Sequence, residues 1–293
     1  MKHRAPLALF LAAALFLGGC QAGQQPSPPP SPPPSPSPEE RTLFAAGDIA
    51  YCDSQGDEAT ARLIESRAPK KGAWAVLALG DLAYPDGTRE EFENCYDPSW
   101  GRFKEYTYPV LGNHEYHTKD AAGYFGYFGD QARPPGGYYR FTYAGWSLYA
   151  LNSNLSLKSG SRQYRWLEKE IQGDDHRCKL AFLHRPRYSS GVHGDATSLE
   201  DLWQLLSNAG FALVLSGHDH HYERIEAGGP VQFVVGSGGA PLRKIKRRRP
   251  GSEAYVDDAH GVLELILSRE GYRFRFLDVD DRQRDAGKGD CAP

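Results

Sequence analysis

The sequence predicts an α/β domain, and two patterns in it carry that expectation. From Thr42 onward, short apolar runs alternate with longer amphipathic stretches, as in chains whose strands are interleaved with helices covering the sheet faces. The residues richest in chemistry fall where strand patterns run out into loops: Gly47-Asp48, Gly80-Asp81-Leu82-Ala83-Tyr84, Gly112-Asn113-His114-Glu115, His184 closing an apolar run, and Gly217-His218-Asp219-His220. In open α/β sheets, ligands gather at the carboxyl ends of strands, so the placement of these phrases points to one shared site.

In chain order, strands are expected over 42–46, 73–79 and 107–111, then a hairpin across 138–152, then strands over 179–183, 211–216, 231–235, 261–267 and 272–278. Helices are expected over 56–67, 120–128, 161–172 and 197–208. The last two strands, with Gly271 between them, read as an antiparallel hairpin at a sheet edge. No internal repeat is visible.

Of 293 residues, 24% are charged and 40% hydrophobic, with a net charge of −3, an ordinary balance for a globular chain. That charge gives no reason to expect nucleic-acid or membrane binding. The N-terminus reads Met1-Lys2-His3-Arg4 and continues as an apolar run from Ala5 to Leu17. A basic start, a short apolar middle and small residues after it are the features of a secretory leader, and the run is too short to span a bilayer. It ends Leu17-Gly18-Gly19-Cys20, which resembles a bacterial lipoprotein processing box. Residues 1–19 are therefore expected to be removed, leaving a lipidated Cys20 that anchors an exported protein to a membrane; the alternative is an ordinary leader and a secreted soluble protein. Residues 26–38 are Pro and Ser only. Such a stretch favours extended polyproline II, so 20–40 is expected to be a lipid-attached linker and 41–293 the folded domain.

Beyond Cys20 there are four cysteines, Cys52, Cys95, Cys178 and Cys291. An even number in an exported chain favours two disulfides. Three pairings are open. Cys52–Cys95 is favoured because both follow motif-bearing strand ends by a short loop, which leaves Cys178 to tie Cys291 and the C-terminus to the core.

Taken together, the five phrases resemble the calcineurin-like metallophosphoesterase superfamily and, more narrowly, its purple acid phosphatase branch. The narrowing rests on Tyr84. Other branches place a ligating His two residues after the first Asp; this chain has Ala50 there, and its Gly-Asp-x-x-Tyr phrase supplies a phenolate instead. The resemblance spans residues 42–280 and departs at Ala50 and Ala181, where Gly and Val are usual; neither change removes a ligand. It implies two mixed sheets sandwiched between helices, and a binuclear metal centre. Asp48, Asp81, Tyr84 and His220 would hold the first metal, and Asp81, Asn113, His184 and His218 the second, with Asp81 bridging. His218 and His220 lie on one side of an extended segment, so they can reach adjacent ions. A phenolate suits ferric iron at the first position; iron, zinc and manganese stay open at the second.

The implied reaction is hydrolysis of phosphomonoesters, by in-line attack of a metal-bound hydroxide on phosphorus. His114 would protonate the leaving oxygen, with Glu115 orienting its ring or holding its proton. His193, nine residues after His184, would contact substrate. His221 reads as a support for the ligands or as substrate-facing, Tyr116 and His117 as the rim, and Arg185 and Arg187 as either phosphate ligands or plain surface charges. The basic run Arg243-Lys244-Ile245-Lys246-Arg247-Arg248-Arg249 reads as a solvated loop, with a landing patch for a polyanion or anionic lipid as the alternative. That run is the only feature leaning towards phosphodiesters, nucleotides or nucleic acid as substrates. A binding protein that kept the fold and lost the chemistry is disfavoured, because none of the seven ligand positions is lost. The oligomeric state is not readable.

Overall fold

The computed structural model describes Met1, residues 40–70 and residues 73–291. Beyond Met1, the expected leader lies outside the described residues, as do Cys20 and all of the linker but Glu40. In chain order the strands are β1 (Arg41–Ala46), β2 (Ala50–Tyr51), β3 (Trp74–Ala78), β4 (Ala83–Tyr84), β5 (Thr107–Pro109), β6 (Tyr139–Tyr143), β7 (Trp146–Ala150), β8 (Cys178–Phe182), β9 (Leu213–Ser216), β10 (Tyr222–Ile225), β11 (Val231–Val235), β12 (Ser252–Val256), β13 (Gly261–Leu267), β14 (Gly271–Asp278) and β15 (Gln283–Asp290). The helices are α1 (Gly56–Arg67), α2 (Arg89–Glu91), α3 (Ala122–Phe128), α4 (Arg162–Gln172) and α5 (Glu200–Asn208).

Two mixed sheets result, in the orders β15-β14-β13-β1-β3-β5 and β12-β10-β11-β9-β8-β7-β6. Within the first, β1, β3 and β5 run parallel; within the second, β7, β8, β9 and β11 do. The period-two alternation of side chains explains the layering. On β8, Leu180 and Phe182 enter the core between the sheets while Ala181 turns outward; on β9, Leu213 and Leu215 enter and Val214 turns outward. The outward residues pack with Leu167 of α4 and with Leu202, Trp203 and Leu206 of α5. On the opposite side, Ala61, Leu63 and Ile64 of α1 close over the first sheet. This is the sandwich of two mixed sheets between helices that the family resemblance implied.

The four expected helices are all present within a few residues of their expected ends. The β13–β14 hairpin is antiparallel as expected, but it is not at the edge: β15 pairs beyond it, and Gly271 opens β14 instead of sitting in the turn. The sequence Gln-Arg-Asp-Ala-Gly-Lys-Gly-Asp of β15 has no apolar side chain larger than Ala286, in keeping with a strand that is mostly exposed, so it carries no apolar alternation to read. Both expected disulfides form, Cys52–Cys95 and Cys178–Cys291. Among the described residues, no helix is long and apolar enough to cross a membrane.

Candidate metal centre

The site begins with backbone turns at strand ends. Asp48 follows β1, Asp81 follows β3, and His218 follows β9; their φ angles are 57°, 50° and 72°. Non-glycine residues seldom occupy this left-handed region, and doing so costs about 1 kcal/mol or more each. The surrounding hydrogen bonds hold them there. Asp48 N–H donates to the Gly80 carbonyl at 3.0 Å, His218 N–H to Asp48 Oδ2 at 2.7 Å, and Asp81 N–H to Glu115 Oε2 at 3.0 Å. Gly112 is forced by a close approach: a Cβ there would stand 2.0 Å from Asp81 Oδ1.

These turns bring all seven expected ligand side chains together in two groups that share one oxygen. In the first group, Tyr84 Oη lies 2.9 Å from Asp48 Oδ1, 3.3 Å from Asp81 Oδ2 and 3.2 Å from His220 Nε2. In the second, His184 Nε2 lies 3.2 Å from Asp81 Oδ2, 3.2 Å from Asn113 Oδ1 and 3.1 Å from His218 Nδ1. Asp81 Oδ2 therefore faces both groups. The imidazoles are oriented from behind. His184 Nδ1 lies 2.9 Å from the Leu79 carbonyl and His220 Nδ1 lies 2.7 Å from the Pro241 carbonyl. A carbonyl can only accept, so each Nδ1 carries a proton, and it is Nε2 that presents a lone pair inward when the ring is neutral.

The electrostatics fit a multivalent cation. Burial, and then the carboxylates of Asp48 and Asp81, push the Tyr84 phenol far above its ordinary range. Burial, and then the charge of His184, push His218 down to about 2. For His184 burial acts downward, but the Asp81 carboxylate outweighs it and raises the ring to about 9. For Asp81 burial acts upward, and His184 and His114 outweigh it, so the carboxyl is held ionised. Imidazole nitrogens and carboxylates packed this closely, with five of the seven ligand residues buried and Asn113 and His218 half-buried, are the oxygen and imidazole donor set of a hard or borderline metal.

His114 stands at the mouth. Its Nδ1 is 2.5 Å from the Pro85 carbonyl, its ring lies against Tyr84, and its Nε2 is 3.8 Å from Asp81 Oδ2. Glu115 does not orient that ring or hold its proton. It is fully buried and accepts backbone N–H bonds from Asp81, Leu82 and Gly112 at 3.0, 2.7 and 2.6 Å. Burial, and then Asp81, raise its carboxyl to about 7. His193 stacks on the His218 ring at 4.1 Å, with Nδ1 2.9 Å from Asp219 Oδ1. His221 is buried against Glu223 at 3.2 Å and faces no substrate. Arg187 is committed to Glu200, so it is no phosphate ligand, while Arg185 turns a buried Nε that has no hydrogen-bond partner among the described residues. Of the expected rim, His117 is exposed beside Asp86, and the Tyr116 hydroxyl accepts from Asn152 Nδ2.

Three contributors had no role in the sequence reading: Asp219, Glu223 and, individually, Arg243. Asp219 lies between two ligand histidines in the turn from β9 to β10, where His218 has the left-handed φ of 72°. It holds the loop after His184, accepting from Ser189 Oγ and from His193 N–H and Nδ1. Glu223 accepts from Ser190 N–H and Oγ. The partners, 30 residues away for Ser189 and 33 for Ser190, carry no local signal in the sequence.

The profile of the calcineurin-like phosphoesterase family matches residues 42–222. Among curated proteins, the chain is 29% identical over 259 residues to purple acid phosphatase 21 of Arabidopsis thaliana, covering 75% of this chain and 56% of that protein. It is 26% identical over 259 residues to the Fe(3+)-Zn(2+) purple acid phosphatase 12 of the same plant, covering 70% and 53%. The chain thus spans about half the length of these relatives. Among solved structures, the purple acid phosphatase PPD1 from yellow lupin (Lupinus luteus) superimposes with a TM-score of 0.69 at 19% identity, over 87% of this chain and 55% of that one. GAP50, the anchor in the inner membrane complex of Plasmodium, gives 0.69 at 18% identity, over 87% and 90%. At these identities the structures speak for the fold, and the fold agrees with the family profile: the chain belongs to the calcineurin-like phosphoesterase family, and the curated relatives it is similar to are purple acid phosphatases.

Proposed function

We propose that this protein hydrolyses phosphomonoesters at a binuclear metal centre. The observation that carries the reading is the single carboxylate oxygen, Asp81 Oδ2, within 3.3 Å of a donor atom in each of the two groups. Asp48, Tyr84 and His220 complete one position; Asn113, His184 and His218 complete the other. Two bound ions would lower the pKa of a shared water to near neutrality and clamp the phosphoryl oxygens. Iron at the Tyr84 position, with iron, zinc or manganese at the other, follows from phenolate chemistry and accords with the Fe(3+)-Zn(2+) in one relative's name.

The chain's own residues do the rest. The Pro85 carbonyl fixes the Nδ1 proton of His114, so a second proton on Nε2 is the one this ring can give to a leaving oxygen at the mouth. His193 stacks on His218 beside the centre, with Nδ1 held by Asp219 and Nε2 3.4 Å from Arg243 Nη1, so a protonated ring there can donate to a phosphoryl oxygen. Asn113 contributes a neutral carbonyl and keeps the site electrophilic.

Export and lipid attachment at Cys20 complete the proposal, supported by Leu17-Gly18-Gly19-Cys20 and by two disulfides in the domain. The test is turnover of p-nitrophenyl phosphate beside bis-p-nitrophenyl phosphate, with an Asp81→Asn control. Monoester turnover that vanishes in the control is the expected result. Preference for the diester would move the reading to a phosphodiesterase or nucleotidase, and no turnover with both metals bound would leave a surface binding protein.

A further inference from the structure

Beside the metal centre lies a second concavity of about 500 Å³, lined by Ser189, Ser190, Gly191 and Val192 on one side and by Lys244, Lys246, Arg247, Arg248 and Arg249 on the other. Two chain segments lead from the centre into it. His193, stacked on His218, directly follows Val192; Arg243, whose Nη1 is 3.4 Å from His193 Nε2, directly precedes Lys244. The pocket therefore starts one residue, about 3.8 Å of chain, from the two groups at the mouth.

The pocket is built, not a loose loop. Ser189 and Ser190 are held from beneath by Asp219 and Glu223, both buried, and Ser190 Oγ accepts the Arg249 N–H at 2.9 Å. Those two carboxylates accept from the loop's hydroxyls and amides. Of the five cations lining it, Lys244 pairs with Asp257 and Arg249 with Asp195, and Arg248 caps the Ser252 carbonyl. Lys246 and Arg247 are exposed and have no partner among the described residues. Arg249 also keeps a buried Nη1 that donates to nothing there. The nearby aromatic faces are already taken: Arg249 lies over Tyr188 at 4.2 Å and Arg248 over Tyr255 at 5.2 Å. A base would find nothing to stack on. What remains is a concave site rich in donors and net positive charge, which suits phosphoryl oxygens.

We propose that this pocket binds a second phosphoryl group in the leaving portion of the substrate, so that the preferred substrates carry at least two. The inference rests on the phosphoesterase reading above and deepens it. In the reaction, water adds its oxygen to the phosphorus at the centre, the P–O bond to the leaving oxygen breaks, and a proton passes to that oxygen. The phosphorylated leaving portion is held by Lys246 and Arg247 throughout.

The test compares the wild type with Lys246→Gln/Arg247→Gln on three substrates: p-nitrophenyl phosphate, inorganic tripolyphosphate and inositol hexakisphosphate. Both positions are exposed, so folding is not at stake. The expected result is unchanged kcat/KM on p-nitrophenyl phosphate and a loss of about tenfold, through KM, on at least one polyphosphorylated substrate. A loss on tripolyphosphate identifies a condensed chain, and one on inositol hexakisphosphate identifies separate esters on a ring. Calorimetric binding of imidodiphosphate, weakened by the same pair of substitutions, gives a readout that does not depend on turnover. If the wild type fails on every ester, the phosphoesterase reading falls, and the calorimetry still judges the pocket. Equal rates on all substrates with unchanged imidodiphosphate binding would overturn the proposal, as would loss of binding to phosphatidylserine vesicles with no effect on any soluble phosphate.

Discussion

The two sheets contribute opposite chemistry to one site. Every oxygen donor comes from the first sheet's side: Asp48, Asp81 and Asn113 follow β1, β3 and β5, and Tyr84 lies on β4 just after Asp81. Every nitrogen donor comes from the second: His184 follows β8, and His218 and His220 lie between β9 and β10. The oxygen half is braced by a buried carboxylate, Glu115, gripping three backbone N–H groups. The nitrogen half is braced by carbonyls, and one of these, Leu79, belongs to the first sheet's side. Neither half is a metal site alone. The donor types are separated by strand, and only the packing of one sheet edge on the other assembles them.

Single-ligand variants should break this comparison most sharply. Asp81→Ala is expected to empty both positions, because one of its oxygens faces both groups. Asp48→Ala should empty the position that holds Tyr84, and His218→Ala the position that holds Asn113. Metal content per protein by mass spectrometry reads this directly, and each variant should lose about a thousandfold or more in phosphomonoester turnover. Two ions retained in Asp81→Ala would refute the bridging assignment.

The brace of the oxygen half comes next. Glu115→Ala leaves three buried N–H groups without an acceptor and is expected to weaken metal affinity by about ten- to a hundredfold and to lower Tm. Asn113 and Asp81 should suffer together, since the Gly112 and Asp81 amides share that carboxylate. Unchanged affinity with a lower Tm would make Glu115 a purely structural residue.

The disulfides sharpen the comparison more gently. Cys52–Cys95 closes 43 residues and Cys178–Cys291 closes 113, and on loop-closure grounds these cross-links restrict the unfolded chain by about 4 and about 5 kcal/mol. Cys52 directly follows Tyr51, whose ring lies 5.9 Å from that of Tyr84, whereas Cys178 opens β8 at the end remote from His184. Replacing either pair with Ser should lower Tm. Only the first should also lower metal affinity, measured by competition with a chelator.

The smallest effect is expected away from both halves. Asp174 has a buried side chain that accepts from the Tyr149 hydroxyl at 2.6 Å and lies 2.7 Å from His176 Nδ1. Burial raises its carboxyl, but these hydrogen bonds outweigh burial and bring it from 3.8 to about 2. A depressed carboxyl stabilises the fold above its unfolded pKa and loses that contribution as pH falls through its folded one. Asp174→Asn should therefore lower Tm at pH 7 by a few degrees, with the deficit to wild type shrinking from pH 4 towards pH 2 and turnover at neutral pH unaffected.

Much of this was legible in the chain because strand ends announce themselves locally. An apolar run followed by Gly-Asp or Gly-Asn-His needs no distant partner to be recognised, and the seven ligand types carry their own chemistry. The edge strand β15, the short strands β10 and β12, and the role of Glu115 were not legible. β15 is mostly exposed and lacks apolar alternation, and Glu115 serves amides on two different loops.

The sequence by itself determined the alternation of strands and helices and the donor types at each strand end. Those follow from the two-residue period of strands and the functional groups of single side chains. Only the tertiary structure decided that oxygen and nitrogen donors meet across a sandwich, that Glu115 braces backbone instead of a catalytic ring, and that the run Arg243–Arg249 folds around a pocket beside His193. Each of these depends on contacts between residues distant in sequence, made when two sheets pack face to face and exclude water from the groups between them.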